Sequence, residues 1–161
     1  MTDPTRFTIW IALACWLAFM HLTYRGREAS PNLMRIWWSV GCLAYVAHVI
    51  AAFQFHHAWS HSAAFEATAI QTEEVVGRRV GLGIYVNYAF TLIWIGDVVW
   101  WWVNPNHHQA RATWVGPTWH GFFCFIVFNA TVVFEDGPVR WLGAAGCFWI
   151  VLLWIRCGRS R

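Results

Sequence analysis

The chain has 161 residues, of which 58% are hydrophobic and only 12% are charged. Soluble domains contain about 45–50% apolar and about 25% charged residues, and a chain of this size cannot bury so much apolar surface. The composition excludes an ordinary soluble domain and a disordered chain. It predicts an all-α integral membrane protein with one transmembrane domain over residues 1–161.

Five stretches are apolar over nearly the length that a helix needs to cross a bilayer, which is roughly 20 residues. In chain order they cover residues 7–24, 36–55, 80–103, 114–134 and 138–155. The last stretch is short, so a bundle of four spans is the alternative. The predicted architecture is therefore a bundle of about five transmembrane helices in contact with the lipid bilayer.

The segment between the second and third stretches has a different character. Residues 62–76 contain neither Gly nor Pro and are rich in Ala, Glu, Gln and Thr, which are mostly residues that tolerate a helix. Over residues 56–76 the second helix either continues beyond the membrane or a new interfacial helix begins. Gly77 is expected to end it.

A group of histidines opens this segment. His57 and His61 are four residues apart, so on a helix they would share one face and could bind one transition metal ion. Glu135 is the candidate third ligand. Two other interpretations of these histidines stay open. They are either ordinary polar residues at a helix end or a group whose protonation responds to pH. The alternative third ligands are Glu66, Glu73 and Glu74.

Polar residues inside the predicted spans are costly and usually face the bundle interior or a cavity. Asn87 and Asp97 lie on one arc of the third predicted helix, which should therefore face protein. In the fourth, His120 faces the same way as other polar residues, whereas Asn129 lies opposite and needs its own partner. Asp97 is expected to pair with His21 or His120 in the same half of the bundle.

Intramembrane histidines also make b-type haem a candidate cofactor. Haem iron can be held by two histidines from different helices at matching depth, and His21, His48 and His120 are the candidates. Small residues beside His48 leave room for a flat macrocycle. The alternatives are histidines that hydrogen-bond neighbouring helices together, or a path for protons.

The positions of the arginines predict the topology. All 11 basic residues are arginines; they are too sparse for a nucleic-acid-binding surface. Seven fall on one side of the predicted spans and four on the other. This bias predicts a multi-pass protein of the cell membrane with its N-terminus outside and its C-terminus in the cytoplasm. The arginine-only, Ala- and Gly-rich composition indicates a bacterial gene.

Many of the 14 tryptophans lie near predicted helix ends. This placement is typical of an aromatic belt at the membrane interface, so no chemistry is assigned to them.

The sequence contains no phosphate-binding loop, nucleophile elbow or CxxCH haem-attachment motif. Whether the protein is an enzyme stays open. Because so little of the chain lies outside the predicted spans, we predict a small subunit or partner of a larger membrane assembly, bound to other membrane proteins or to a second copy. The alternatives are a membrane redox protein that binds haem or a metal, and a small proton-coupled transporter that uses Asp97.

Overall fold

The computed structural model describes residues 4–25, 30–134 and 137–158. Within those ranges the chain is helical and contains no strand, which confirms the predicted all-α fold. The helices are α1 (Pro4–Arg25), α2 (Pro31–Phe55), α3 (His61–Val76), α4 (Gly83–Val103), α5 (Pro105–Gln109), α6 (Val115–Phe128), a π-helical segment (Asn129–Val133) and α7 (Pro138–Gly158).

Four helices are long and apolar enough to cross a membrane: α1, α2, α4 and α7. The chain therefore fits a protein that crosses the membrane several times. The fourth predicted span, 114–134, is not one continuous α-helix, because the 14 residues of α6 give way to five residues of π-helix.

Proline and glycine set helix boundaries that hydropathy alone misplaced. Pro31 lies in the first turn of α2, where a missing N–H costs nothing, so this helix begins well before the predicted start at 36. Helix α4 begins at Gly83 and not at 80. A turn precedes it, in which Gly81 packs so closely on Phe65 that a Cβ there would lie 2.6 Å from the Phe65 ring.

The segment after α2 restarts as a separate helix. Ala58 and Trp59 adopt positive φ angles of 45° and 59°, which interrupt the α2 helix. Ser60 then caps α3 by accepting a hydrogen bond from the backbone N–H of Ala63 at 3.2 Å. Gly77 ends α3 in the left-handed conformation, as predicted.

The core of the bundle is aromatic. Aromatic side chains from α1, α2, α4 and α6 pack against one another there, and Trp38 has only 1% of its surface exposed. The aromatic belt prediction is therefore wrong for three tryptophans that pack inside the bundle. Other tryptophans of the predicted belt are exposed, and for them the interface position stays a prediction. The buried three are Trp38, Trp101 and Trp119, and exposed examples are Trp102, Trp114 and Trp141.

Candidate functional site

Asp97 is the centre of a buried polar cluster between α2, α4 and the turn after α5. Its Oδ2 accepts a hydrogen bond from the Trp38 indole at 2.8 Å. Its Oδ1 accepts one from Arg111 Nη1 at 3.2 Å and lies 3.1 Å from His108 Nε2. The expected pairing of Asp97 with His21 or His120 is therefore wrong: its ion-pair partner is Arg111, from the loop region that follows α4.

The short helix α5 places these partners. Asn104 ends α4, and Pro105 cannot continue that helix, so the chain turns back on itself. The Asn104 side chain caps α5 by accepting a hydrogen bond from the N–H of His107 at 3.1 Å. His108 then stacks on Trp101, with ring centroids 4.6 Å apart and planes within 9°.

The geometry of the cluster around Asp97 indicates a structural role, in which it fixes neighbouring helices to one another. Arg111 Nη1 carries two hydrogens; it lies 3.2 Å from Asp97 Oδ1 and 2.9 Å from His108 Nε2. It can therefore donate to both at once, with the imidazole nitrogen accepting. A buried carboxylate paired in this way avoids the cost of an isolated buried charge. The cluster holds α5 against α4 and α2.

One cavity, called the main cavity, lies between α1, α2, α4, the end of α6 and the start of α7. Its volume is about 280 Å³. The polar groups on its wall come from different helices, and the rest of the lining is apolar and largely aromatic. The polar lining residues are Arg6, Tyr45, His48, Asn87 and Thr131.

The π-helical segment forms part of this wall. Ala130 and Thr131 both line the cavity, and the Thr131 hydroxyl donates to the carbonyl of Val127 at 2.7 Å. On the other side, Gly143 of α7 lies so close to Thr131 that any Cβ there would overlap its side chain. The π-helix therefore lies between the cavity and Gly143 of α7.

Two buried indoles on the cavity wall lack hydrogen-bond acceptors. Trp16 and Trp94 are each 2% exposed, and within the described chain neither indole nitrogen has a partner. A buried donor without a hydrogen-bond partner carries a cost in free energy. His48 is held differently: its Nδ1 lies 2.9 Å from the carbonyl oxygen of Thr5 and must donate to it.

The three candidate haem ligands do not meet at one place. His48 lines the main cavity, whereas His120 lines a second cavity of about 210 Å³ beside α7. The His120 ring lies against Phe19 and Trp38, with ring centroids 5.8 and 6.2 Å away. His21 is half-buried on α1 and lines neither cavity.

The outer histidines do not share a helix face, so that prediction is wrong. His57 lies in the turn before α3, beside Phe53, whereas His61 is the first residue of α3. His61 bonds to the hydroxyls of Tyr88 and Tyr85, at 3.0 and 3.3 Å. The described residues bring no three His, Cys, Asp or Glu side chains together around a metal position. The candidate third ligand, Glu135, lies outside them.

The two asparagines have separate environments. Asn87 is exposed and lies at the wall of the main cavity. The Asn129 amide donates a hydrogen bond to the carbonyl of Phe125 at 2.8 Å. Asn129 therefore has the separate partner that the sequence led us to expect.

The environment of His57 predicts a pH effect. Burial, aided by neighbouring His56, lowers the pKa of His57 below its ordinary value. The unfolded chain therefore takes up this proton more readily than the folded chain, so stability should fall as pH drops through about 6.5. We expect an NMR titration of the ring to give a pKa below that of a histidine peptide, and His57→Gln to weaken the fall of Tm with acid. A ring that titrates at or above the peptide value contradicts this.

Comparisons with known proteins give no assignment for the chain. No family model matches it, and neither a curated protein nor a solved structure does.

Proposed function

We propose that this membrane protein binds a small amphipathic molecule in the main cavity, within the thickness of the bilayer. The observation that carries the proposal is the meeting of irregular backbone, polar side chains and aromatic rings at one cavity among membrane-spanning helices. The wall combines the π-helical segment with His48 and Asn87, and with the indoles of Trp16 and Trp94.

The π-helix supports a binding role. Departures from α-helix at membrane depth are tolerated where the backbone is buried in protein or lines a cavity, and π-bulges often occur at functional sites. Here the irregular segment carries Ala130 and Thr131 on the cavity wall. The mixture of an apolar, aromatic lining with a few polar groups is also typical of small-molecule sites.

The predicted transporter role for Asp97 has weaker support. The carboxylate is 11% exposed and accepts hydrogen bonds from Arg111 and Trp38, and it does not line the main cavity. A carrier would have to break this cluster in each cycle. We therefore treat Asp97 as a structural residue of the binding protein.

The haem, metal and subunit predictions remain alternatives to be separated by experiment. A haem held by His48 would enter the same cavity and would be visible in the absorption spectrum. A transition metal at His57 or His61 would have to find further ligands. A role as a subunit or partner of a larger assembly is compatible with ligand binding and would appear as a co-purified membrane protein.

Native mass spectrometry of protein released from a mild detergent tests the proposal. We expect one amphiphile of low mass to remain bound per chain. Ala130→Trp, which adds a bulky ring to the cavity wall, should abolish that species. Ala47→Trp, on an exposed face of α2 away from the cavity, is the matched control and should retain it. Bare protein in the wild type, or equal retention in both variants, would overturn the proposal.

A further inference from the structure

The second cavity, of about 210 Å³, lies at the end of the bundle where α1 ends, α6 begins and α7 ends. Its wall carries three side chains that contain soft metal-ligating atoms: Met20 from α1, and His120 and Cys124 from α6. His120 and Cys124 are four residues apart on one continuous α-helix, so they share a face of α6. The second cavity shares no lining residue with the main cavity.

His120 brings a polar ring without a hydrogen bond to this wall. Only 8% of its surface is exposed, and within the described chain its Nδ1 is enclosed and has no partner. Nε2 is not enclosed in this way. A neutral imidazole offers one lone pair to a ligand, and Nε2 is the nitrogen of this ring that a ligand in the second cavity can reach.

Cys124 supplies a sulfur atom on the same helix face. It is a free thiol and is half-buried. The described lining residues of the second cavity include no carboxylate and no arginine, so the charge of a bound metal ion would be balanced by the thiolate alone. A monovalent ion on one thiolate is neutral. A divalent ion would leave a net charge in an apolar site, which is costly.

We propose that the second cavity binds one Cu(I) ion, ligated by Nε2 of His120 and the thiolate of Cys124, with the thioether of Met20 as a weaker third ligand. Thiolate and thioether are soft donors, which suit Cu(I). Cu(I) also forms sites with few ligands, whereas structural zinc sites are almost always four-coordinate. The unbranched side chain of Met20 is flexible, which lets its sulfur approach an ion in the cavity.

Binding exchanges a proton for the metal. The Cys124 thiol loses its proton to solvent as the Cu–S bond forms, and the oxidation state of the copper does not change. The site is separate from the amphiphile proposed for the main cavity, so copper binding and amphiphile retention are independent results.

Competition with the chromophoric Cu(I) chelator bathocuproine disulfonate tests the site. The protein is purified in detergent without a His tag, and Cu(I) is added anaerobically as its acetonitrile complex. We expect one Cu(I) per chain. Cys124→Ser should weaken binding by more than the roughly 100-fold that loss of an outer-shell partner costs a metal site, and Met20→Leu, which is close in size, should weaken it by about tenfold.

Cys147→Ser is the matched control. Cys147 is a buried free thiol of α7 that lines a different cavity, between α1 and α7, so its loss should leave the affinity for Cu(I) unchanged. The copper x-ray absorption spectrum of the loaded wild type needs no variant to fold. It should show nitrogen and sulfur neighbours.

Several results would overturn the copper site. They are a wild type that yields all its copper to the chelator, equal losses in Cys124→Ser and Cys147→Ser, and a spectrum without sulfur. Displacement of Cu(I) by an equal amount of Zn(II) would overturn the choice of metal. An unchanged affinity in Met20→Leu would overturn the role of the thioether.

Discussion

Asp97→Ala is expected to destabilise the folded protein by about 3–5 kcal/mol, the range for breaking a buried ion pair. The substitution leaves Arg111 as an uncompensated charge in a site where its side chain is only 20% exposed. It also removes the acceptor of the Trp38 indole and the contact with His108. Thermal or denaturant unfolding in detergent, followed by circular dichroism, measures the loss.

Companion variants show whether the charge or the hydrogen bonds dominate. Asp97→Asn keeps an acceptor for Trp38 but loses the charge, so it should fall between the wild type and Asp97→Ala. Adding Arg111→Gln to Asp97→Asn should recover part of the stability, because the buried cation is removed as well. The exposed pair between Arg79 and Glu66 on the surface of α3 gives a control: Glu66→Gln should leave Tm almost unchanged. A decrease of less than about 1 kcal/mol in the free energy of unfolding for Asp97→Ala would contradict the structural role of this cluster.

Gly143→Val is expected to destabilise the bundle by about 1–3 kcal/mol and to reduce ligand retention. Any Cβ at Gly143 overlaps the side chain of Thr131, which is itself buried and bonded to Val127. Helix α7 must therefore move away, or the π-helical segment must shift towards the cavity. Unfolding and native mass spectrometry of the same preparation report both effects.

Gly146→Ala is the matched control for this variant. It lies less than one turn further along α7, where a Cβ would sit 3.7 Å from Leu17, an ordinary contact distance. This control should keep its stability and its bound species. If Gly143→Val behaves like Gly146→Ala, then α7 does not press on the π-helix as described.

Hydropathy and turn residues were sufficient to predict the all-α fold and the helix that ends at Gly77. Hydropathy was less informative at helix starts. The first turn of α2 is polar, and the start of this helix is set by Pro31 and not by apolar residues. The π-helical segment could not be foreseen, since residues 114–134 read as one apolar run. Within it, Thr131 packs against Gly143 of α7, a tertiary contact that hydropathy does not reveal.

The sequence predicted only part of the Asp97 cluster and did not predict the cavity. The need of Asp97 for partners followed from the cost of a buried charge, but His108 and Arg111 appeared to be loop residues. The signal that could have found them is Asn104-Pro105, which ends α4 and turns the following residues back towards it. Trp38 was assigned to the interface because its depth, and not its helix face, was considered. The cavity required the three-dimensional packing, since its lining comes from residues far apart in the chain.

Photo-crosslinking tests the central claim, a ligand site inside the bundle, most directly. A diazirine-bearing single-chain amphiphile is added to the protein in nanodiscs, and labelled residues are mapped by mass spectrometry. We expect labels on the walls of the main cavity, around Trp16 and Thr131, that an excess of the same amphiphile without the diazirine removes. Labels confined to lipid-exposed positions such as Leu92 on α4 and Phe148 on α7, insensitive to competition, would contradict it.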